Sequence, residues 1–386
     1  MRSQSIRSSF FVLFAFIGAL ITLQANASMV PRAPQIDARG YLLMDAASGR
    51  IIVEHNAEQR LPPASLTKMM TAYIAEAELQ KGNLSEDDMA PVSVKAWRMG
   101  GSKMFIKEGT RVSVGDLLKG IIIQSGNDAS VAMAEFVAGS EDAFADLMNQ
   151  HARRLGMNST HFMNATGWPA ENHFTTAKDM ATLARAIVRD FPEHYDTYAL
   201  KEFTYNGITQ QNRNLLLWRD ERVDGLKTGH TEEAGYCLVS SAKEGDMRLI
   251  AVVMGTDSEG ARARESQKLL TYGFRFFETY KAYSAGDILD TAELWMGEKR
   301  EVRLGLSEDL ILTIPKESHE GLKAEVTVNP QLQAPINEGQ QYGTVTVRMN
   351  NEVLVEKPLV ALESIEEAGF LTQIWHHILM FFKGLF

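Results

Sequence analysis

The sequence predicts an α/β protein of the α+β kind, in which an antiparallel sheet carries a helical subdomain and is followed by a small all-β domain and a C-terminal amphipathic helix. Three observations predict this order. Two β-type runs near the N-terminus give way to helix-forming sequence from about residue 83 to 191, and adjacent β-type runs resume between 203 and 254. A helical pattern then runs from Arg264 to about Tyr280, and short alternating segments occupy 289–362. From Phe370 onward, apolar residues recur at helical spacing.

A chain of 386 residues suits two or three domains with full cores, and 45% hydrophobic against 23% charged residues excludes a polytopic membrane protein. The net charge of −10 disfavours nucleic-acid binding through overall basicity. Cys237 is the one cysteine, so no intramolecular disulfide and no CxxC site can form. Residues 1–27 read as a signal peptide: Arg2 and Arg7 precede the apolar run Phe10 to Leu23, and Ala25-Asn26-Ala27 offers small residues for cleavage. Export without disulfides suits a bacterial periplasm. The other divisions are expected at 28–285, 286–363 and 364–386.

In chain order, Tyr41 to Met44 and Ile51 to Val53 read as a hairpin around Ala47-Ser48-Gly49. Pro62-Pro63 announces a helix expected from Ser65 to about Gln80. Helical runs at Leu117 to Ile123 and Val131 to Val137 bracket Ser125-Gly126-Asn127, which places that triplet in a loop. Phe203 to Tyr205, Val223 to Thr228, Tyr236 to Ser241 and Leu249 to Met254 read as strands. Val302 to Leu304, Val326 to Val328 and Val345 to Val347 give the second domain, with a turn at Asn350-Asn351.

Three short elements carry chemistry. Ser65-Leu66-Thr67-Lys68 places a hydroxyl and an amine on one helix face, where a neutral amine can take the serine proton and the helix N-terminus favours developing negative charge. Ser240 and Lys243 repeat the spacing at the end of a strand, where it points the two side chains to opposite faces. Ser125-Gly126-Asn127 offers a second hydroxyl and an amide that both donates and accepts, though alone it reads as a turn. Lys227-Thr228-Gly229 ends a strand with a cation, a hydroxyl and a bare backbone; a lysine close to Lys68 would lower the pKa of Lys68 by like-charge repulsion. Gly229 would let a peptide lie on the strand edge.

The order of these elements, a helix start, a loop between helices and a strand, resembles the penicillin-binding protein and serine β-lactamase superfamily. Pro63 to Lys68, Val223 to Thr231 and Gly273 to Phe277 are similar to the low-molecular-mass D-alanyl-D-alanine carboxypeptidases, over nearly all of the chain after residue 27. The resemblance implies that fold and a serine carboxypeptidase acting on peptidoglycan stem peptides, with β-lactams as acylating inhibitors. Ser65 would be the nucleophile, Lys68 the base, and Ser125 and Lys227 proton carriers. Asn127 would grip the substrate amide, and the backbone N–H groups of Ser65 and His230 would form the oxyanion hole. Thr228 and Arg262 would clamp the terminal carboxylate, with Arg264 as the other candidate arginine. Asp179 resembles a position bordering the cleft or serves as a first-turn acid. No cofactor is implied. The sequence holds no HExxH pattern, and His376-His377 point to different sides of a helix.

Alternatives on the same fold are a β-lactamase, a DD-endopeptidase or a catalytically silent wall scaffold. No Glu-x-x-x-Asn pattern lies between Asn164 and Glu171 to serve the first. In the tail, Leu371, Ile374, Trp375, Ile378, Leu379, Phe381, Phe382, Leu385 and Phe386 oppose Thr372, Gln373, His376 and Lys383. That pattern suits a helix lying on a membrane surface and anchoring the protein to the outer face of the inner membrane; the other reading is packing on the second domain.

Overall fold

In a computed structural model, the backbone is described for residues 30–383 and the side chains for residues 30–380. The expected signal peptide, residues 1–27, lies outside the described residues, as do the side chains of Phe381, Phe382, Lys383, Leu385 and Phe386.

The first domain is organised by a five-stranded sheet in the order Ile51–His55, Gly40–Asp45, Met247–Thr256, Gly235–Glu244, Val223–Thr231, with every neighbouring pair antiparallel. Both faces are buried, and the period of two distributes the strands between two cores. Leu42, Ile250, Val252 and Met254 face the helices Lys68–Gln80 and Ala177–Asp190. Leu43, Leu249, Ala251 and Val253 face the helix Glu259–Phe276 through Leu269, Leu270 and Phe274. Val223–Thr231 is left as an edge strand.

The helical block contains Val114–Ile122, Asn127–Ala138 and Glu141–Leu155. It is less continuous than the spacing suggested. Met89–Pro91 pairs with Arg111–Ser113 as a ribbon, and residues 156–176 form no helix because their turns are tied by side chains. Asn164 Oδ1 alone accepts from the backbone N–H groups of Thr166, Gly167 and Trp168. The last helix of the domain ends at Phe276, not near Tyr280. The strand Phe277–Tyr283 follows and pairs with Leu310–Pro315. Aromatic and β-branched residues favour that conformation, and Thr279 and Thr313 both donate to the buried Asp45 carboxylate at 2.7 Å. The change from one core to the next therefore falls near Phe277.

The second domain is a six-stranded sheet, Leu322–Val328, Gln341–Met349, Glu352–Ala361, Glu301–Gly305, Ile288–Trp295 and Leu332–Gln333, around Leu294, Val302, Leu304, Val345 and Leu359. Asn350 and Asn351, with φ of 49° and 69°, make the hairpin turn expected there. The helix Phe370–Lys383 docks on this sheet by its polar side: buried His376 accepts a hydrogen bond from Met296 N through Nδ1 at 2.8 Å. Phe370, Leu371, Ile374, Trp375, Ile378 and Leu379 remain exposed. Among the described residues no helix is long and apolar enough to cross a membrane.

Glu76 is buried two turns beyond Lys68 and accepts a hydrogen bond from the equally buried Tyr198 hydroxyl at 3.1 Å. Burial raises its pKa to about 8. The native state therefore binds a proton that the unfolded chain releases above about 4.5, and stability from this group falls as pH rises toward 8. Glu76→Gln is expected to match the parent near pH 5 and to exceed it by on the order of a few kcal/mol at pH 8, as read from denaturant midpoints.

Candidate active site

The residues singled out in the sequence converge at one end of the edge strand Val223–Thr231, where it meets the helical block. Ser65 lies in a 3-10 turn, Ala64–Thr67, that leads directly into the helix Lys68–Gln80. The turn is pressed from two sides. Gly167, at φ +83°, approaches so closely that a Cβ there would lie 1.8 Å from Ala64 O, and a Cβ on Gly229 would meet Pro63 O at 3.2 Å. Those contacts hold the serine between the strand and the 164–168 turn.

Lys68 is completely buried behind Ser65. Its Nζ lies 3.2 Å from Ser65 Oγ and donates to Asn127 Oδ1 and Thr166 O, both at 2.6 Å. A neutral amine has two N–H donors and one lone pair, so with both donors engaged the lone pair faces the serine hydroxyl. Burial first, and then the positive charge of Arg213, bring the Lys68 pKa down to about 7. Lys227 likewise lies well below its ordinary value, through burial first and then the charges of Lys68, Arg213 and Arg262. Lys227 Nζ donates to Ser125 Oγ and to Thr228 O, each at 2.9 Å.

Two hydroxyl–amine pairs, Ser65 with Lys68 and Ser125 with Lys227, thus face one cavity of about 530 Å³. Ser65, Ser125, Asn127, Thr228, Gly229, His230 and Arg262 line it, and Lys68 and Lys227 reach it through their serines. Asn127 is oriented by both ends of its amide, since Nδ2 donates to Gly100 O at 2.7 Å while Oδ1 faces Lys68. One Nδ2 hydrogen is left for a ligand. Arg262 is buried, lines the cavity and holds Gly229 O at 3.2 Å, whereas Arg264 points away from the cavity to Glu265. The His230 side chain is exposed and stacks on Tyr236, 4.0 Å between ring centroids.

Asp179 is absent from the cavity lining; its carboxylate accepts from Ser159 N and Thr160 Oγ1, so it pins a turn as a first-turn acid. Cys237 is fully buried, and burial pushes its thiol up to about 11, far from a thiolate nucleophile. Sequence reasoning missed Arg213, which lines the cavity beside Arg262 and adds a second guanidinium. It also missed Asp128, whose buried carboxylate takes the N–H groups of Met104, Phe105 and Ile106 at 2.8, 2.9 and 3.2 Å and so fixes the segment that follows the cavity residues Gly101 and Ser102. The Arg213 signal was faint, an arginine between two asparagines; Asp128, directly after the Ser-Gly-Asn triplet, was the more legible.

Residues 27–258 match the family described as D-alanyl-D-alanine carboxypeptidase, and residues 277–367 match the penicillin-binding protein 5 C-terminal domain. The chain is 44% identical to the D-alanyl-D-alanine carboxypeptidase DacC of Escherichia coli, across 100% of this chain and 97% of that one. Its structure is similar to that of penicillin binding protein 5 from Haemophilus influenzae, with a TM-score of 0.85 and 41% identity over 87% of this chain and 100% of that one. Penicillin-binding protein D2 from Listeria monocytogenes, solved in an ampicillin-bound form, superimposes with a TM-score of 0.59 at 29% identity over 63% of this chain and all of the other.

Proposed function

Because this chain belongs to the D-alanyl-D-alanine carboxypeptidase family, we propose that it removes the terminal D-alanine from peptidoglycan pentapeptide stems through an acyl-enzyme on Ser65. The observation that carries this is the Lys68 amine, deprotonable near neutrality and aimed at Ser65 Oγ. The extended peptide lies along the edge strand, with its carboxylate near Thr228, Arg213 and Arg262 and its scissile carbonyl between the N–H groups of Ser65 and His230. Lys68 takes the serine proton as Oγ attacks. The tetrahedral intermediate collapses as a proton passes to the D-alanine nitrogen from the Ser125–Lys227 pair, and water then releases the shortened peptide. Penicillins acylate the same serine.

The arginine pair supports exopeptidase rather than endopeptidase action. A C-terminally amidated substrate is expected to lose about ten- to a hundredfold in kcat/KM, and Arg262→Gln to narrow the gap between acid and amide, as for the loss of a charge-assisted hydrogen bond. Equal turnover of both substrates would refute the clamp. Glu171, the acid in the 164–171 stretch, lines a neighbouring cavity and not the one that holds Ser65, which supports slow rather than rapid penicillin release. An intact site also speaks against the silent scaffold.

The C-terminal helix supports peripheral attachment at the outer face of the inner membrane of the periplasm. His376 ties its polar side down and leaves the apolar side outward. The exported chain is expected to partition onto anionic vesicles, and a form ending near Glu363 to remain in solution. Equal partitioning would refute the anchor.

A further inference from the structure

A closed ring of hydrogen bonds stands behind Lys68. The Lys68 Nζ donates to Thr166 O at 2.6 Å. That carbonyl is aimed by Asn164, whose Oδ1 receives Thr166 N at 3.1 Å and Thr166 Oγ1 at 2.9 Å, together with the N–H groups of Gly167 and Trp168. So many donors on one atom fix which end of the amide is oxygen. Asn164 Nδ2 points the other way, to Trp168 O at 3.0 Å and to His173 Nδ1 at 3.4 Å. An amide nitrogen only donates, so Nδ1 is the unprotonated nitrogen of the imidazole. Burial holds the His173 pKa down to about 4, which leaves that ring neutral with its one proton on Nε2. Nε2 donates it to Thr67 Oγ1 at 3.0 Å, and Thr67 directly precedes Lys68 in the turn that carries Ser65. Thr67, Lys68, Thr166 and His173 are all buried, where a polar group that loses its partner finds no water to replace it.

We propose that His173 and Asn164 are positioning residues for the general base: through Thr67 on one side and Thr166 O on the other, they set the direction of the Lys68 lone pair toward Ser65 Oγ. With the ring closed, Lys68 Nζ engages Thr166 O and Asn127 Oδ1 with its two N–H groups and keeps the lone pair for the serine, 3.2 Å away. With the ring open, the Thr166 carbonyl is free to turn, and the amine loses one of the two acceptors that orient it. Neither His173 nor Asn164 lines the cavity that holds Ser65, so both act through Lys68 and not on the substrate. The assignment rests on the carboxypeptidase function proposed above, and the behaviour of the parent protein separates the two. D-Alanine release from a pentapeptide ending in D-Ala-D-Ala is measured from pH 5 to 9 with the parent, His173→Leu, His173→Gln, Asn164→Ala and Thr67→Val, beside each unfolding midpoint.

His173→Leu keeps bulk and removes both polar contacts, and kcat is expected to fall about ten- to a hundredfold with KM within about twofold of the parent, as for a base held off its attack geometry. Asn164→Ala should fall by the same order, whereas His173→Gln retains a donor and an acceptor and should recover most of the rate. Releasing the Thr166 carbonyl also removes an acceptor that favours the charged amine, so the rising limb of kcat/KM, expected near pH 7 in the parent, should move to lower pH. Arg213 and Asp128, the charges that act on Lys68, stay in place in every variant. Thr67→Val cuts the ring at its other end and gives the same reading should His173→Leu fail to fold. Parental kcat in folded His173→Leu or Thr67→Val, or a lowered rate with an unmoved limb and no recovery in His173→Gln, would overturn the positioning role while leaving the carboxypeptidase intact. Absence of release from the parent would overturn both.

Discussion

Ser65→Ala is expected to lower D-alanine release by about a thousandfold or more, because the nucleophile and its base act as one unit and what remains is the contribution of substrate binding and the oxyanion donors. The fold should tolerate the change. Ser65 contributes one hydroxyl at a cavity wall, and the turn around it is held by other contacts: Leu66 and Thr67 are buried, Thr67 Oγ1 lies 3.0 Å from His173 Nε2, and Leu66 N donates to Pro63 O at 3.1 Å. An unchanged unfolding midpoint with lost release is the expected pair of results. Persistent release would place the reacting hydroxyl elsewhere, with Ser125 as the nearest alternative in the same cavity.

The second large effect is expected at Lys68. Replacement by alanine removes the base, and replacement by arginine keeps a cation that cannot lose its proton in a protein. Both are expected to cost about a hundred- to ten-thousandfold in kcat/KM. Near-parental activity in Lys68→Arg would mean that the group acts by charge alone. The parent profile gives the complementary test. With the Lys68 pKa down at about 7, the amine is protonated and inactive below that value and free above it, so kcat/KM should rise as pH passes upward through about 7. A profile flat from pH 5 to 9 would contradict the base assignment.

Much of this site could be read from the sequence because its parts lie in short elements whose local structure is itself legible. Pro62-Pro63 marks the start of the turn that carries Ser65, the Ser-Gly-Asn triplet sits between two helical runs, and Lys227-Thr228-Gly229 closes an apolar strand. The five-stranded sheet was legible for the same reason, since continuous apolar runs at Leu249 to Met254 and Tyr236 to Ser241 can be buried on both faces only inside a covered sheet.

What could not be read depends on long-range contact. Nothing near Arg213 in the chain announces that it will stand beside Arg262, and the lowered pKa of both lysines follows from a burial that only the folded chain supplies. The helix expected to reach Tyr280 stops at Phe276 because Asp45, 234 residues upstream of Thr279, supplies a buried acceptor that holds the following segment as a strand. His376 looked like one more polar residue on a surface helix; its contact with Met296, 80 residues away, makes it the point of attachment.

Covalent acylation of one serine, Ser65, underlies the whole reaction. It is tested most directly by mixing the protein with benzylpenicillin, measuring its intact mass, and mapping the modified peptide. A stoichiometric adduct is expected on the peptide containing Ser65, absent in Ser65→Ala. An adduct on another residue, or none on correctly folded parent protein, would contradict it.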